Sequence, residues 1–104
     1  MSSIKEESII FFMKLNHYLN HGWPILEVFK RIEEDMSNAE FKNVILQIHQ
    51  SIEEGNYFSD SFDKFPNIFD KKIIAFIKTG EETGQLFPAF NMLPELILKE
   101  ICIM

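Results

Sequence analysis

Two histidines are the first residues of this chain whose type and spacing could do chemistry. His17 and His21 are four residues apart, so a helix would place them one turn apart, a spacing that can hold zinc. No glutamate lies between them, and the lone Cys102 is not at a spacing that predicts a further ligand. We therefore expect two ordinary residues near a helix C-terminus, where partial positive charge is favourable.

Two acidic pairs, Glu81-Glu82 and Glu53-Glu54, could suit acid–base chemistry. Adjacent helical side chains point about 100° apart, so neither pair can share a substrate as a catalytic carboxylate pair does. Carboxylates near a helix C-terminus are unfavourable by about 0.3–1 kcal/mol. We expect acidic surface at helix ends, with a contact for a basic partner or a cation as the alternative. Reversing the charges of Glu81 and Glu82 together should then leave the fold intact.

Other catalytic and binding motifs are incomplete in the chain or missing from it. The segment from Ser59 to Asp63 offers scattered oxygen ligands for calcium, but no D-x-[DN]-x-[DN]-G loop is present. No G-x-S-x-G nucleophile motif and no G-x-x-x-x-G-K-[ST] phosphate loop is present either. The chain is therefore predicted not to be an enzyme and not to hydrolyse ATP, and no catalytic residue or cofactor is assigned.

Composition bounds the fold and the partners. A chain of 104 residues with 46% hydrophobic content and eleven phenylalanines can bury one core, so a single domain over residues 1–104 is predicted. The net charge of −6 disfavours nucleic acid and anionic membrane as direct partners and favours a basic protein. One cysteine fits a reducing compartment such as the cytoplasm. No stretch reaches the roughly 18 apolar residues of a membrane span.

The elements that must position these residues are predicted to be helices, in an all-α bundle of about six antiparallel members. Two sequences of the capping-box type, Ser3 to Glu6 and Ser37 to Glu40, open the first and third helices, and Asp70 can cap the fifth. The glycines and prolines predicted to have structural roles are Gly22, Pro24 (the first position of the second helix), Gly55, Pro66, Gly80 and Gly84.

Three of these positions carry sharper predictions. Gly84 suits the left-handed conformation that ends a helix, because it has no Cβ. Gly80 lies one turn inside that helix, where glycine costs about 1 kcal/mol relative to alanine. We therefore expect another helix to pass too close to Gly80 for a side chain. Pro94 should kink or break the last helix, since it lacks an N–H.

Three segments together resemble one protein family. They are Asn20-His-Gly-Trp-Pro-Ile-Leu-Glu-Val-Phe29, Ile52-Glu-Glu-Gly-Asn-Tyr-Phe-Ser-Asp-Ser-Phe62, and Phe65-Pro-Asn-Ile-Phe69 leading into Gly80-Glu-Glu-Thr-Gly-Gln-Leu86. In order and spacing they are similar to the cytoplasmic F domain of the inner-membrane platform proteins of type II secretion systems and type IV pilus machines. That family carries "G-x-P-L-x-E-A", "E-G-x-x-L-S-x-A-L" and "F-P" followed by "A-G-E-x-[ST]-G-x-L". The resemblance covers about residues 9–100.

Departures from the family pattern favour one branch. Trp23, Phe29 and Phe62 are bulkier than the usual family residues, and Pro94 interrupts the last helix. Bulky substitutions of this kind resemble the type IVb pilus branch, with the toxin-coregulated pilus machine as the best guess.

The resemblance implies a function and a location. The domain would be the first of two in a polytopic protein, on the cytoplasmic face of the bacterial inner membrane, with the membrane reached through spans outside this chain. It would sit between the hexameric assembly ATPase and other inner-membrane subunits and help convert ATP-driven motion into pilin assembly. Self-association into a homo-oligomer is a further implied contact, and calcium has been associated with some members.

The candidate partner-binding residues are Glu81, Glu82, Glu53, Glu54 and Trp23. Trp23 follows a helix-ending glycine, where an aromatic side chain can either anchor a partner or pack between the first two helices. Two other functions stay open at this point: a free-standing helical adaptor or regulator, and a metal-binding protein or metal-dependent enzyme that uses the histidines or the acidic corners.

Overall fold

Six α-helices make up the chain in the computed structural model, which describes residues 3–102 and side chains through residue 99. No strand occurs in this range. The helices are α1 (Ile4–Asn20), α2 (Ile25–Asp35), α3 (Ala39–Glu53), α4 (Phe58–Phe62), α5 (Lys71–Thr83) and α6 (Leu86–Cys102). The predicted all-α fold of six helices is confirmed.

The beginnings of α1 and α5 are built as predicted. The hydroxyl of Ser3 accepts the N–H of Glu6 at 3.1 Å, and the Glu6 carboxylate accepts the N–H of Ser3 at 3.3 Å, which completes the capping box. The Asp70 carboxylate accepts the N–H of Ile73 at 3.0 Å. These side chains satisfy N–H groups that have no partner within the helix.

The beginnings of α2 and α3 differ from the prediction by one residue. The capping residue of α3 is Asn38, whose amide oxygen accepts the N–H of Phe41 at 2.9 Å, so the box predicted at Ser37 is wrong. Pro24 is the residue before α2, not its first residue, because its ψ of 140° is extended and the helix begins at Ile25. Both corrections move the boundary without changing the element.

Helices α1, α3 and α5 end just before the glycines predicted to end them, and Pro66 lies in the turn between α4 and α5. The glycines with positive φ are Gly22 (84°), Gly55 (95°) and Gly84 (72°). At the end of α5, the N–H of Gln85 donates to the carbonyl oxygen of Gly80 at 2.7 Å. This six-to-one bond is the Schellman arrangement, and it turns the chain directly into α6.

Phenylalanine fills the core, as the composition predicted. Seven of the eleven phenylalanines are buried: Phe11, Phe12, Phe29, Phe41, Phe62, Phe69 and Phe90. Phe62 of the short helix α4 lies among four others, with ring centroids 5.1 Å from Phe69, 5.9 Å from Phe12 and 6.2 Å from both Phe11 and Phe90. Edge-on and offset pairs at these distances stabilise the core beyond the area that they bury. The shortest helix therefore supplies the centre of the core.

Gly80 lies at a tight crossing of α5 and α6, as predicted. A Cβ at this position would be 2.9 Å from the Cβ of Ala89, 3.1 Å from the carbonyl oxygen of Gln85 and 3.3 Å from the Cα of Leu86. Two of these neighbours are backbone atoms, which cannot move aside as a flexible side chain can. The absence of a side chain at Gly80 is what lets the two helices approach.

Pro94 does not break α6, which continues across it from Leu86 to Cys102. In a regular helix the carbonyl of Phe90 would accept the N–H four residues later, which Pro94 lacks. The side chain of Asn16 on α1 donates to that carbonyl instead, at 2.8 Å. The predicted break is wrong, since α6 does not end at Pro94, and a side chain from a neighbouring helix replaces the missing donor. The kink predicted as the alternative stays a prediction.

Candidate partner-binding surface

The acidic corner at the end of α5 has an internal role. The Glu81 carboxylate accepts the N–H of Phe58 through one oxygen and the N–H of Ser59, at 2.9 Å, through the other. These N–H groups open α4, whose own preceding residue, Tyr57, makes no side-chain cap. A carboxylate at a helix N-terminus is favoured by the macrodipole and forms charge-assisted bonds. Glu81 is therefore a cap supplied from another helix.

A buried polar network fixes the turn between α3 and α4. The hydroxyl oxygens of Ser51 and Ser61 are 2.8 Å apart, and Asn56 donates to both the hydroxyl and the carbonyl oxygen of Ser51 at 3.1 Å. Ser61 also donates to the carbonyl of Tyr57 at 2.9 Å. The hydroxyl of Ser61, in the Ser59–Asp63 segment, is thus part of a hydrogen-bond network inside the fold. Calcium binding by this segment stays a prediction.

Glu82 occupies a different environment from Glu81. It is exposed and lines a surface depression of about 560 Å³ together with Tyr57, Asp60 and Lys78. Tyr57 is 71% exposed, which makes it the most accessible large hydrophobic side chain in the described range. An exposed aromatic ring beside carboxylates can contact a basic partner through both its face and the neighbouring charges.

The two carboxylates of the second acidic pair, Glu53 and Glu54, also differ in their contacts. Glu54 follows the last residue of α3 and is exposed, whereas Glu53 lies 3.2 Å from Nε2 of His49. Nδ1 of the same ring lies 2.6 Å from the carboxylate of Glu33 on α2, and the ring stacks on Phe29 with centroids 5.8 Å apart. His49 thus joins α3 to α2 through the Glu33 carboxylate and the Phe29 ring, whereas its contact with Glu53 lies within α3.

Replacing His49 by alanine is expected to lower the free energy of unfolding by about 2–3 kcal/mol. The change removes both carboxylate contacts and the ring on Phe29, and it leaves the Glu33 carboxylate, only 15% exposed, without its partner. Urea denaturation measures the loss. His17→Ala is the control, because that histidine is exposed and its replacement should stay within about 0.5 kcal/mol. If the two changes lowered the free energy of unfolding equally, His49 would not stabilise the contact between α2 and α3.

Trp23 packs within the fold and is also partly exposed. Its ring packs against Tyr18 of α1 with centroids 5.1 Å apart, yet 40% of the residue stays exposed. It borders a depression of about 250 Å³ that includes Arg31. The Tyr18 hydroxyl, followed by the Asp35 carboxylate, raises the pKa of the Arg31 guanidinium, and Glu27 and Glu34 line the same depression, so charges of both signs lie beside the indole. A contact with a partner through Trp23 stays a prediction.

An apolar groove runs between α5 and α6. It has a volume of about 500 Å³, and its lining includes Phe76, Pro88 and Met92, with Lys72 at the edge. Gly80 lies in its floor, so the close crossing of the two helices also shapes this surface.

The histidine pair shows a local arrangement. The rings of His17 and His21 are 4.6 Å apart, and Nδ1 of His21 donates to the carbonyl oxygen of His17 at 2.7 Å near the end of α1. Among the residues whose side chains the structure describes, no group of three or more histidine, cysteine, aspartate or glutamate side chains could hold a metal ion. In the part of the chain that the structure describes, no third metal ligand therefore lies beside His17 and His21.

The comparison with known families decides the assignment. The family model described as "Type II secretion system (T2SS), protein F" matches residues 11–101. The chain belongs to this family. The family resemblance of the three sequence segments is thereby confirmed, and the type IVb branch stays a prediction.

Individual F-family relatives are distant in sequence. The "Type IV pilus assembly protein PilC" of Myxococcus xanthus is 25% identical over 88 residues, or 85% of this chain and 21% of that protein. The protein of the same name from Thermus thermophilus is 26% identical over 92 residues, or 88% and 22%. The "Type II secretion system protein F" of Vibrio cholerae is 25% identical over 65 residues, or 62% and 16%. The chain thus spans about one fifth of the length of these relatives.

The F-family segments meet in space. Glu81, from the Gly80–Leu86 segment, caps the helix that Phe58 and Ser59 open in the Ile52–Phe62 segment. The spacing between the segments therefore has a structural reason: the end of α5 must reach the start of α4. No helix in the described range is long and apolar enough to cross a membrane.

Sequence reasoning missed several residues that the structure brings into use. His49, Asn16 and Ser51 were not singled out, and Glu81 was assigned only to the surface. The His49–Glu53 spacing of four residues was a usable signal for a helical pair. The absence of a capping side chain before Phe58 was another, because the first N–H groups of a helix need acceptors from somewhere. Asn16 left no such local signal.

Proposed function

We propose that this domain is a non-enzymatic scaffold of an inner-membrane platform protein for type IV pilus assembly or type II secretion. Membership of the F family over residues 11–101 carries the proposal. In it, the domain lies on the cytoplasmic face of the bacterial inner membrane as the first of two such domains. The membrane is reached through spans outside this chain.

The arrangement of the polar groups supports a scaffold. The carboxylate of Glu81 and the hydroxyls of Ser51 and Ser61 form internal hydrogen bonds that hold α3, α4 and α5 together. Residues in the family segments thus serve the rigidity of the bundle. A rigid bundle is the property that a mechanical link between an assembly ATPase and membrane subunits requires.

The contact surface that we propose is the depression formed by Tyr57, Asp60 and Glu82. Glu81, which also lines the depression, accepts the N–H groups that open α4, and Glu82 is exposed beside an exposed aromatic ring. Glu53, Glu54 and Trp23 are secondary candidates. The net charge of −6 favours a basic partner surface, and we propose that the N-terminal region of the hexameric assembly ATPase supplies it.

Within the F family, we propose the type IVb pilus branch, with the toxin-coregulated pilus machine as the best guess. The bulky residues that favour it are used in the fold: Phe29 and Phe62 are fully buried, and Trp23 packs on Tyr18. Contacts with other inner-membrane subunits and self-association belong to the same proposal, which assigns no cofactor and keeps calcium as the alternative.

The test is calorimetric binding of this domain to the N-terminal region of its cognate assembly ATPase at low and moderate salt. We expect binding that weakens with salt, and a roughly three- to tenfold further loss of affinity in Glu82→Lys, because a rim charge would face a basic surface. Glu95→Lys makes the same charge change on α6, away from this surface, and should bind as the wild type does.

The other outcomes discriminate between partners. No binding by the folded domain would overturn the ATPase assignment and direct the search to membrane subunits or to self-association. Binding that is equal in Glu82→Lys and Glu95→Lys would overturn the choice of surface.

A further inference from the structure

The carbonyl of Phe90 in α6 depends on another helix for its hydrogen bond. Helical geometry assigns it the N–H of residue 94, and Pro94 has none. Asn16 of α1 lies 74 residues earlier in the chain and donates to it from Nδ2 at 2.8 Å. The continuity of α6 across Pro94 is thus supported by a side chain from outside the helix.

Asn16 is held by one bond only. The residue is 9% exposed, and its Oδ1 atom is buried without a hydrogen-bond partner. A leucine would fill such a position without leaving an unpaired acceptor, so general stability does not explain an amide here. The amide is explained by the Phe90 carbonyl, which Pro94 leaves without a donor.

The part of α6 after Pro94 forms one wall of a surface groove. Glu95, Leu96 and Lys99 face Phe76 across a depression of about 90 Å³ that continues the apolar groove between α5 and α6. This part is attached to the core through Ile97, which is fully buried. A helix bends most readily at a proline, so the second half of α6 can open locally about Pro94.

We propose that Asn16 and Pro94 form a latch that controls the local opening of the second half of α6, residues 95–102, and with it the width of the groove beside Phe76. With the Asn16–Phe90 bond made, the Phe90 carbonyl has a donor while α6 is closed against the bundle. With the bond broken, that carbonyl is left without a donor, and opening of α6 at Pro94, which lets water reach the carbonyl, becomes less costly. Burial of Ile97 is then the main force that returns the segment to the bundle.

Amide hydrogen exchange on the whole chain tests the latch. In Asn16→Leu, exchange of the amides at residues 95–102 should accelerate at least about tenfold relative to those of α3, because the lost hydrogen bond lies where α6 crosses Pro94 and does not involve α3. Asn20→Ala is the matched control: Asn20 joins the same two helices, 3.4 Å from Asn91, but has no link to Pro94. It should leave the exchange pattern unchanged. Equal acceleration in all helices of Asn16→Leu would overturn the latch.

A second substitution tests the dependence on proline. Pro94→Ala returns the N–H that Phe90 needs, so the loss in folding constant caused by Asn16→Leu should be at least about tenfold smaller when Pro94→Ala is also present. If Asn16→Leu alone does not fold, folding of the double variant supports the latch. Equal losses with and without Pro94→Ala, or failure of both variants to fold, would overturn it.

Discussion

Gly80→Leu is expected to lower the free energy of unfolding by about 3 kcal/mol or more, the largest effect of any single substitution on the α5–α6 face. The first added carbon already meets Ala89 at 2.9 Å and two backbone atoms within 3.3 Å. A leucine adds three more carbons to a space that does not hold the first. Because domains of this size are stable by about 5–15 kcal/mol, the loss will be plain in a melting curve.

Two further variants separate crowding at Gly80 from the chemistry of the substitution. Gly80→Ala should lose less, because alanine favours the helix by about 1 kcal/mol while its single methyl group crowds Ala89. Thr79→Leu places the same side chain one residue away, at an exposed position, and should change stability by less than about 0.5 kcal/mol. An unchanged melting temperature in Gly80→Leu would show that the helices do not need their close approach.

Glu81→Lys is expected to lower the free energy of unfolding by about 3 kcal/mol, because it replaces an acceptor of two N–H groups by a donor at the start of α4. Positive charge there also opposes the helix macrodipole. Glu82→Lys makes the same charge change next to it on an exposed side chain and should alter stability by less than about 0.5 kcal/mol. Urea denaturation of the two variants side by side makes the comparison, and equal stabilities would show that the cap contributes nothing.

The different roles of Glu81 and Glu82 decide how binding experiments on the acidic corner must be designed. The expectation that reversal of both charges leaves the fold intact is revised, since one carboxylate holds α4, and α4 supplies Phe62 to the centre of the core. Loss of binding in the double variant would mix unfolding with loss of a contact. Glu82→Lys alone isolates the contact.

The residues of the Gly80–Leu86 family segment connect helices to one another rather than form a binding site. Gly80 sets the crossing of α5 and α6, Gly84 turns the chain between them, and Glu81 ties α5 to α4. One short stretch of sequence therefore positions three helices.

What could be predicted from the sequence was whatever depends on neighbouring residues. The capping box at Ser3, the cap at Asp70 and the closure at Gly84 were predicted because each involves atoms within a few residues of one another. The six helices, the phenylalanine core and the family followed from periodicity, composition and three segments in register. Even the crowding at Gly80 could be inferred, since a glycine inside a helix needs a reason beyond its own helix.

What only the tertiary structure decided was the pairing of polar groups that are distant in the chain. Glu81 looked like surface because the residues whose N–H groups it accepts, Phe58 and Ser59, lie 23 and 22 residues away. Pro94 looked like a break because its compensation, Asn16, lies on a helix at the other end of the chain. A local pattern can show that a backbone group lacks a partner within its own helix. Which side chain reaches that group depends on how the helices pack, and the sequence pattern carries no direct signal of that.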